Sequence, residues 1–190
     1  MANLDAPFGF RPVGDLGSNI QNGGTSEYKI VSGETDVIYK GDVVKIETSG
    51  CITVSGNTDT ANIGVFNGCF YNDPTTQKPT WKNYYPGSIT PTVGDISAFV
   101  YDDPNKLFEV QANGTLAQTA VGDNADQVYA AGSTINGASK SELGSVAGGT
   151  AQFRIVRICG DPANNDISSA NSNWIVRFNE HVYYNFGTGV

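Results

Sequence analysis

The stretch that decides the fold lies near the carboxyl end of the chain and reads Trp174-Ile175-Val176-Arg177-Phe178-Asn179-Glu180-His181-Val182-Tyr183-Tyr184. Large apolar side chains fall on one face of this stretch when it is extended: Trp174, Val176, Phe178, Val182 and Tyr184. The other face carries Arg177, Asn179 and His181. Because side chains alternate between two faces along a β-strand, the pattern predicts a strand with one buried and one polar face.

Shorter segments upstream show the same alternation, and turns separate them about every ten residues. The clearest are residues 43–47, 51–55, 63–66, 95–101, 107–111 and 152–158. Hydrophobic residues make up 39% of the chain, glycine is frequent, and Met occurs once. Since this composition disfavours helices, the sequence predicts an all-β fold, either an antiparallel sandwich or a barrel-like body.

The first residues differ from the rest of the chain. Pro7 and Pro12 restrict their own backbone and that of the preceding residues to extended conformations, and several glycines follow. We therefore divide the 190 residues into an extended arm with a flexible connector, 1–26, and a β-rich body, 27–190.

Three parts of the body interrupt the strand pattern. Residues 72–91 hold several prolines and aromatic residues, and proline cannot donate to a sheet ladder, so a long loop is predicted there. Residues 115–121 and 139–146 are each predicted to form a short helical turn.

Charge and apolar content restrict the kinds of partner that the protein is expected to bind. The net charge is −8, the isoelectric point is about 4.4, and the 11 Lys and Arg residues are scattered, which argues against direct nucleic-acid binding. No apolar run approaches the ~18 residues of a membrane span, and the amino terminus does not resemble a signal peptide. We therefore expect synthesis in a cytoplasm, no export by a visible signal and no membrane partner.

Residues with catalytic or metal-binding chemistry are sparse. His181 is the only histidine, and no nucleophile motif accompanies it. Cys51, Cys69 and Cys159 are widely spaced and odd in number, which predicts reduced thiols rather than disulfides or a zinc site. The sequence therefore predicts no enzyme, no metal and no cofactor.

Two groups of apolar residues are candidates for protein contacts. Trp81, Tyr84 and Tyr85 lie in the proline-rich segment, and Trp and Tyr dominate interface hot spots, although these rings could equally pack under their own loop. The arm carries a second group, which is predicted to dock on a neighbouring molecule because a solvated tail needs no apolar side chains: Phe8, Phe10 and Val13.

The opening segment Asp5-Ala6-Pro7-Phe8-Gly9-Phe10-Arg11-Pro12-Val13 resembles the start of the capsid cement, or head decoration, proteins of tailed bacteriophages. This family is frequent among phages of cyanobacteria and other aquatic bacteria. Later segments that are similar to the family are Gly41-Asp42-Val43, Ile63-Gly64-Val65-Phe66, Asp102-Asp103-Pro104, Phe108-Glu109-Val110-Gln111 and Asn179-Glu180-His181.

The resemblance implies a β-rich structural protein without catalytic residues. Such a protein would bind the major capsid protein on the outer surface of the virion head, after synthesis in the cytoplasm of the host bacterium. It would also form a homo-oligomer, a trimer or else a dimer. Two alternatives stay open: a glycan- or receptor-binding module of the virion tail or surface, and a small hydrolase with a pocket around His181.

Overall fold

A computed structural model of the protein describes residues 3–17 and 24–184. Within these residues the chain forms twelve β-strands and one 3-10 helix. The strands are β1 (Arg11–Asp15), β2 (Ser26–Ile30), β3 (Val43–Ile46), β4 (Ile52–Val54), β5 (Asn62–Asn72), β6 (Pro79–Lys82), β7 (Ile96–Tyr101), β8 (Lys106–Gln111), β9 (Asn124–Val128), β10 (Glu142–Ala147), β11 (Phe153–Ile158) and β12 (Asn173–Phe178). The 3-10 helix spans Gln118–Ala120.

The strands form two open six-stranded sheets that pack together as a sandwich. Sheet A has the order β1-β8-β12-β11-β9-β10, and sheet B has the order β2-β7-β5-β3-β4, with β6 paired to β5. Each named strand pairing is antiparallel. The predicted all-β antiparallel sandwich is therefore confirmed.

The strand predicted first, from the alternation near the carboxyl end, is the central strand β12 of sheet A. Trp174, Val176 and Phe178 all point into the core, as the period of two predicts. The strand ends at Phe178, earlier than expected. His181 was placed on the polar face, and this was wrong: the chain turns after β12, and the imidazole is buried.

The core has two parts because sheet B buries residues on both of its faces. Val43 of β3 packs with sheet A in the cluster between the sheets, whereas its neighbour Val44 packs on the other face. There Ile38 and Tyr85, which come from the connections around the sheet, cover the strands. The backbones of Ile38 and Tyr85 exchange two hydrogen bonds, at 2.7 and 3.1 Å, so the two covering segments are fixed to each other.

Buried amides join the two sheets at one edge of the sandwich. Gln127 Nε2 donates to the carbonyl oxygens of Ser55 (2.7 Å) and Gly56 (2.9 Å). Gln152 Nε2 donates to the carbonyl oxygens of Gly56 (2.9 Å) and Asp59 (3.0 Å). Because both side chains come from sheet A or its border and the carbonyls belong to the β4–β5 connection of sheet B, this network fixes the relative position of the sheets.

The prediction of a separate arm was wrong for its described part. Arg11–Asp15 is strand β1 and pairs with β8 at the edge of sheet A. Pro12 is tolerated because the strand is at an edge and the register shifts between Pro12 and Gly14. Residues 18–23 of the predicted connector lie outside the described residues, as do 185–190 at the end of the predicted body.

The residues before β1 are also tied to the body of the same molecule. Gln111 Nε2 donates to the Leu4 carbonyl (2.9 Å), and Ala6 N–H donates to Gln111 Oε1 (3.0 Å). Asn164 binds both backbone groups of Leu4, at 2.9 and 3.0 Å. The amides of Gln111 and Asn164 thus bind the segment as a neighbouring strand would.

Two further local predictions need correction. Residues 72–91 are not all loop, because Pro79–Lys82 forms the edge strand β6 with proline at its first position. Residues 139–146 do not form a helical turn but lead into strand β10, which pairs with β9. The turn predicted at 115–121 is confirmed by the 3-10 helix.

Candidate interaction surface

Three strands of sheet B present aromatic rings on one exposed face. Phe70 on β5 lies opposite Trp81 on β6, and Phe99 on β7 lies opposite Gly68 on β5. Directly opposed residues of an antiparallel pair share a face of the sheet, so the three rings lie side by side. We call Phe70, Trp81 and Phe99 the aromatic face.

The rings of the aromatic face are ordered but uncovered. The centroids of Trp81 and Phe99 are 5.1 Å apart with the ring planes tilted by 51°. Trp81 is 52% exposed and Phe70 is 42% exposed, although both belong to paired strands. Sheet B is apolar here without being covered by sheet A, whereas Val43 and Val65 on the same sheet face sheet A.

Polar groups border the aromatic face on the side of β2 and β7. Lys29 Nζ and Asp95 Oδ2 form an exposed ion pair at 2.5 Å, and Ser97 Oγ donates to Glu27 Oε1 at 2.5 Å. Exposed ion pairs of this kind contribute only ~0–1 kcal/mol to stability. An apolar centre with a polar rim is the usual anatomy of a protein–protein interface.

The three residues predicted as a contact patch lie in different surroundings. Trp81 belongs to the aromatic face. Tyr84 is half-buried, stacks on Tyr39 at a centroid distance of 6.0 Å and lies beneath the Lys82 ammonium. Tyr85 is fully buried in the second part of the core, and its hydroxyl donates to the Glu34 carbonyl at 3.0 Å. The prediction of a contact residue was therefore wrong for Tyr85.

The three predicted residues of the arm are also separated. Phe10 is 1% exposed and stacks on Phe153 at a centroid distance of 4.4 Å, so it belongs to the core and does not reach a neighbour. Val13 is half-buried in β1. Phe8 is half-buried under the Arg11 guanidinium, 4.7 Å from the ring centroid, and lines a surface pocket.

Sequence reasoning did not identify Phe70 and Phe99 as surface residues. Phe99 lies in the predicted strand 95–101 and Phe70 follows the predicted strand 63–66, and phenylalanine in a strand is usually buried. Only the pairing of β5 with the edge strand β6 shows that Phe70 is exposed, because Phe70 lies opposite the exposed Trp81 and shares its face of the sheet.

His181 and Cys69 are buried in the fold, and Cys51 and Cys159 are partly buried. His181 Nδ1 accepts the Tyr183 N–H at 3.2 Å, and burial lowers the pKa of the imidazole, which favours the neutral ring. Cys51, Cys69 and Cys159 are free thiols. In residues 3–17 and 24–184, no cluster of three or more His, Cys, Asp or Glu side chains has the arrangement of a metal site.

Among the described residues, no helix has the length and apolar character needed to cross a membrane. Comparison with family models, with curated proteins and with solved structures finds no match to this chain.

Proposed function

We propose that this protein is a structural cement protein of a tailed-phage capsid. It binds the outer surface of the head through its aromatic face and stabilises the shell by contacts with subunits of the major capsid protein. The observation that carries the proposal is the ordered group formed by the exposed Phe70 and Trp81 and the half-buried Phe99. The resemblance of residues 5–13 to the cement-protein family supports it and supplies the partner.

The aromatic face has the properties of a binding surface. Rings that are already held in paired strands lose little conformational entropy when a partner covers them. Trp contributes more than most residues to interface hot spots, and Trp81 lies opposite Phe70 and in ring contact with Phe99. Binding by this surface needs no catalytic group, and the proposed role is purely structural.

The charge of the protein suits a particle with many copies. A net charge of −8 makes free copies repel each other before assembly. On the shell, several modest contacts per oligomer increase avidity by ~10²–10⁴ over a single contact. A rigid sandwich transmits such contacts without deforming, because interiors of this kind are close-packed.

The experiment is a binding assay with purified shells that lack the protein. Trp81→Ala removes a half-exposed anchor, and we expect about 30-fold weaker shell binding, equivalent to ~2 kcal/mol, while the protein stays folded with a loss of ~1–2 kcal/mol in the free energy of unfolding. Val93→Ser is the matched control, because Val93 is 68% exposed and lies off the aromatic face. Equal shell binding by the two variants would refute the proposal.

A glycan- or receptor-binding module of the virion tail is the second candidate. A separate groove of about 600 Å³ favours it, with Tyr39 and Tyr129 as aromatic walls and Asp36 and the Lys45–Asp59 ion pair as polar groups. Copy number decides between the candidates: a cement protein covers the head in many copies, whereas a tail module is present in a few. Saturable binding of an oligosaccharide at the groove, lost in Tyr129→Ala, would favour the second candidate.

A further inference from the structure

The most exposed large apolar side chain in the described residues is Ile135, which is 97% exposed. It lies at the tip of a tight hairpin closed by two backbone hydrogen bonds, from Ser133 N–H to the Ala138 carbonyl (2.9 Å) and from Gly137 N–H to the Ser133 carbonyl (2.7 Å). Ile135 N–H also donates to Ser133 Oγ at 3.3 Å. The isoleucine is therefore presented on a fixed turn and not on a loose loop.

The hairpin is also fixed to the body. Lys40 N–H donates to the Gly137 carbonyl at 2.9 Å, and Asn83 Nδ2 donates to the Asn136 carbonyl at 2.8 Å. Gly137 has a left-handed backbone, with φ of 69°, and packs so closely on Asn83 that no side chain fits there. Because Asn83 follows Trp81 by two residues, the hairpin stands next to the aromatic face.

A pocket of about 170 Å³ opens beside the base of this hairpin. Phe8, Pro12, Val65 and Tyr101 form its apolar walls, and Ala138 of the hairpin closes one side. An apolar void of ~150 Å³ holds a benzene-sized molecule, so this pocket has room for one branched aliphatic side chain. The neighbouring Ile135 does not fill it, since that side chain is almost fully exposed.

We propose that Ile135 of one copy inserts into this pocket of a second copy, and that this contact assembles the homo-oligomer. The proposal deepens the proposed function, because it names the surface through which the expected oligomer forms. A projecting side chain and a pocket of matching size on one chain produce a self-complementary contact. Ile135 is three residues from Ala138, which lines the pocket, so copies related by a rotation axis can each donate Ile135 to a neighbour and accept one in the pocket.

The charged residues around the pocket are compatible with insertion of Ile135 from a second copy. The pocket rim carries Arg11 and Lys40, and Arg11 is already paired with Glu109 at 2.5 Å. The residues beside Ile135 are uncharged, so insertion places no like charge against the rim. The contact itself is apolar while the copies are acidic as a whole, with a net charge of −8. Self-association should therefore strengthen with added salt, whereas an association based on ion pairs weakens.

The first test is sedimentation equilibrium of the isolated full chain over a range of concentrations and salt. We expect Ile135→Ser to weaken self-association by at least ~10-fold, which corresponds to loss of one buried aliphatic side chain. Val93→Ser, which exchanges another exposed apolar residue for serine, should associate like the wild type. A wild-type chain that stays monomeric, or equal association of the two variants, would overturn the inference.

The second test locates the contact. Ile135→Cys and Lys40→Cys are made separately in a chain whose Cys51 and Cys159 are replaced by serine, and are mixed under mild oxidation. We expect a mixed disulfide between the two variants in greater yield than between Ile135→Cys and Val93→Cys. Equal yields would overturn the inference. Neither test uses capsid shells, so failure here leaves shell binding by the aromatic face to be judged on its own assay.

Discussion

Gly68 lies directly beneath the indole of Trp81: a β-carbon at position 68 would stand 2.6 Å from Trp81 Cζ2 and 2.8 Å from the Lys82 carbonyl oxygen. The pairing of β5 with β6 begins at the next residue, Cys69, and the indole has room beside β5 only because residue 68 has no side chain. Gly68 therefore makes room for the Trp81 ring of the aromatic face.

Gly68→Ala should accordingly displace Trp81 and separate β6 from β5. We expect a loss of ~1–3 kcal/mol in the free energy of unfolding, the usual cost of overpacking, together with weaker shell binding. Urea denaturation followed by tryptophan fluorescence measures the first effect. Gly148→Ala is the control, because its β-carbon would meet nothing within 4 Å. Identical stability of the two variants would show that Trp81 does not rest on Gly68.

Phe10 and Phe8 should respond very differently to truncation. Phe10→Ala removes a fully buried ring that stacks on Phe153, and we expect a loss of ~3–5 kcal/mol in the free energy of unfolding. Phe8→Ala removes a half-buried ring and should cost less, ~1–2 kcal/mol. Denaturant titration of both variants checks this order. A Phe10→Ala protein as stable as the wild type would mean that the first strand is not part of the body.

Asp42 should make the fold less stable as pH rises. Burial raises the pKa of this carboxyl from 3.8 to about 6, against the hydrogen bonds from Ser139, from the Tyr39 N–H and from Ser141, which lower it. The folded state thus holds the proton more tightly than the unfolded state. The stabilisation by that proton is complete below pH 4 and is lost as pH rises through 6.

The measurement is the difference in unfolding free energy between Asp42→Asn and the wild type from pH 4 to pH 8. We expect this difference to move in favour of Asp42→Asn by roughly 2–3 kcal/mol over that range. Taking the difference cancels the titration of other carboxyls, which is common to both proteins. A difference that is constant with pH would contradict the raised pKa of Asp42.

The thiols should react with an alkylating reagent in order of exposure. Cys69 is fully buried, donates to the Tyr84 carbonyl at 3.5 Å, and has a pKa raised by burial to about 12. Cys51 and Cys159 are partly exposed, and burial raises the pKa of Cys159. Since the thiolate is the reactive form, we expect Cys51 to react first and Cys69 only after unfolding. Intact mass at increasing times follows the order, and early modification of Cys69 would contradict it.

The sequence predicted the strands where burial is periodic and local. Trp174, Val176 and Phe178 show this, because each alternate residue of β12 meets the same core. The sequence did not predict strand β1, because Pro12 and Gly14 suggest an irregular segment. The partner strand β8 lies almost a hundred residues further along the chain, so no local pattern could show the pairing.

The candidate site was predicted only in part for a similar reason. Trp81 is predicted as a contact residue because it is an aromatic residue in a proline-rich segment, and Trp is frequent in interface hot spots. Phe70 and Phe99 have the type and alternation of core residues, and only the extent of sheet A decides that Phe70 stays exposed and Phe99 half-buried. Tyr85 could not be told from Tyr84, because the bridge to Ile38 that buries it is formed by a segment distant in sequence.

The strand order also governs when each half of the molecule can form during synthesis. All strands of sheet B lie between Ser26 and Tyr101, so this sheet is complete once the first half of the chain has left the ribosome. Sheet A cannot close then, because its central strand β12 is the last of the described strands to be made and must enter between β8 and β11.

Until β12 arrives, β8 and β11 each lack a neighbour, and their unpaired edges are open to pairing with other chains. The same long-range pairing predicts slow folding. Yield in a cell should therefore depend on how quickly residues 159–178 follow β11, and a chain cut short before Asn173 would leave sheet A divided into two halves that expose the ring of Phe153.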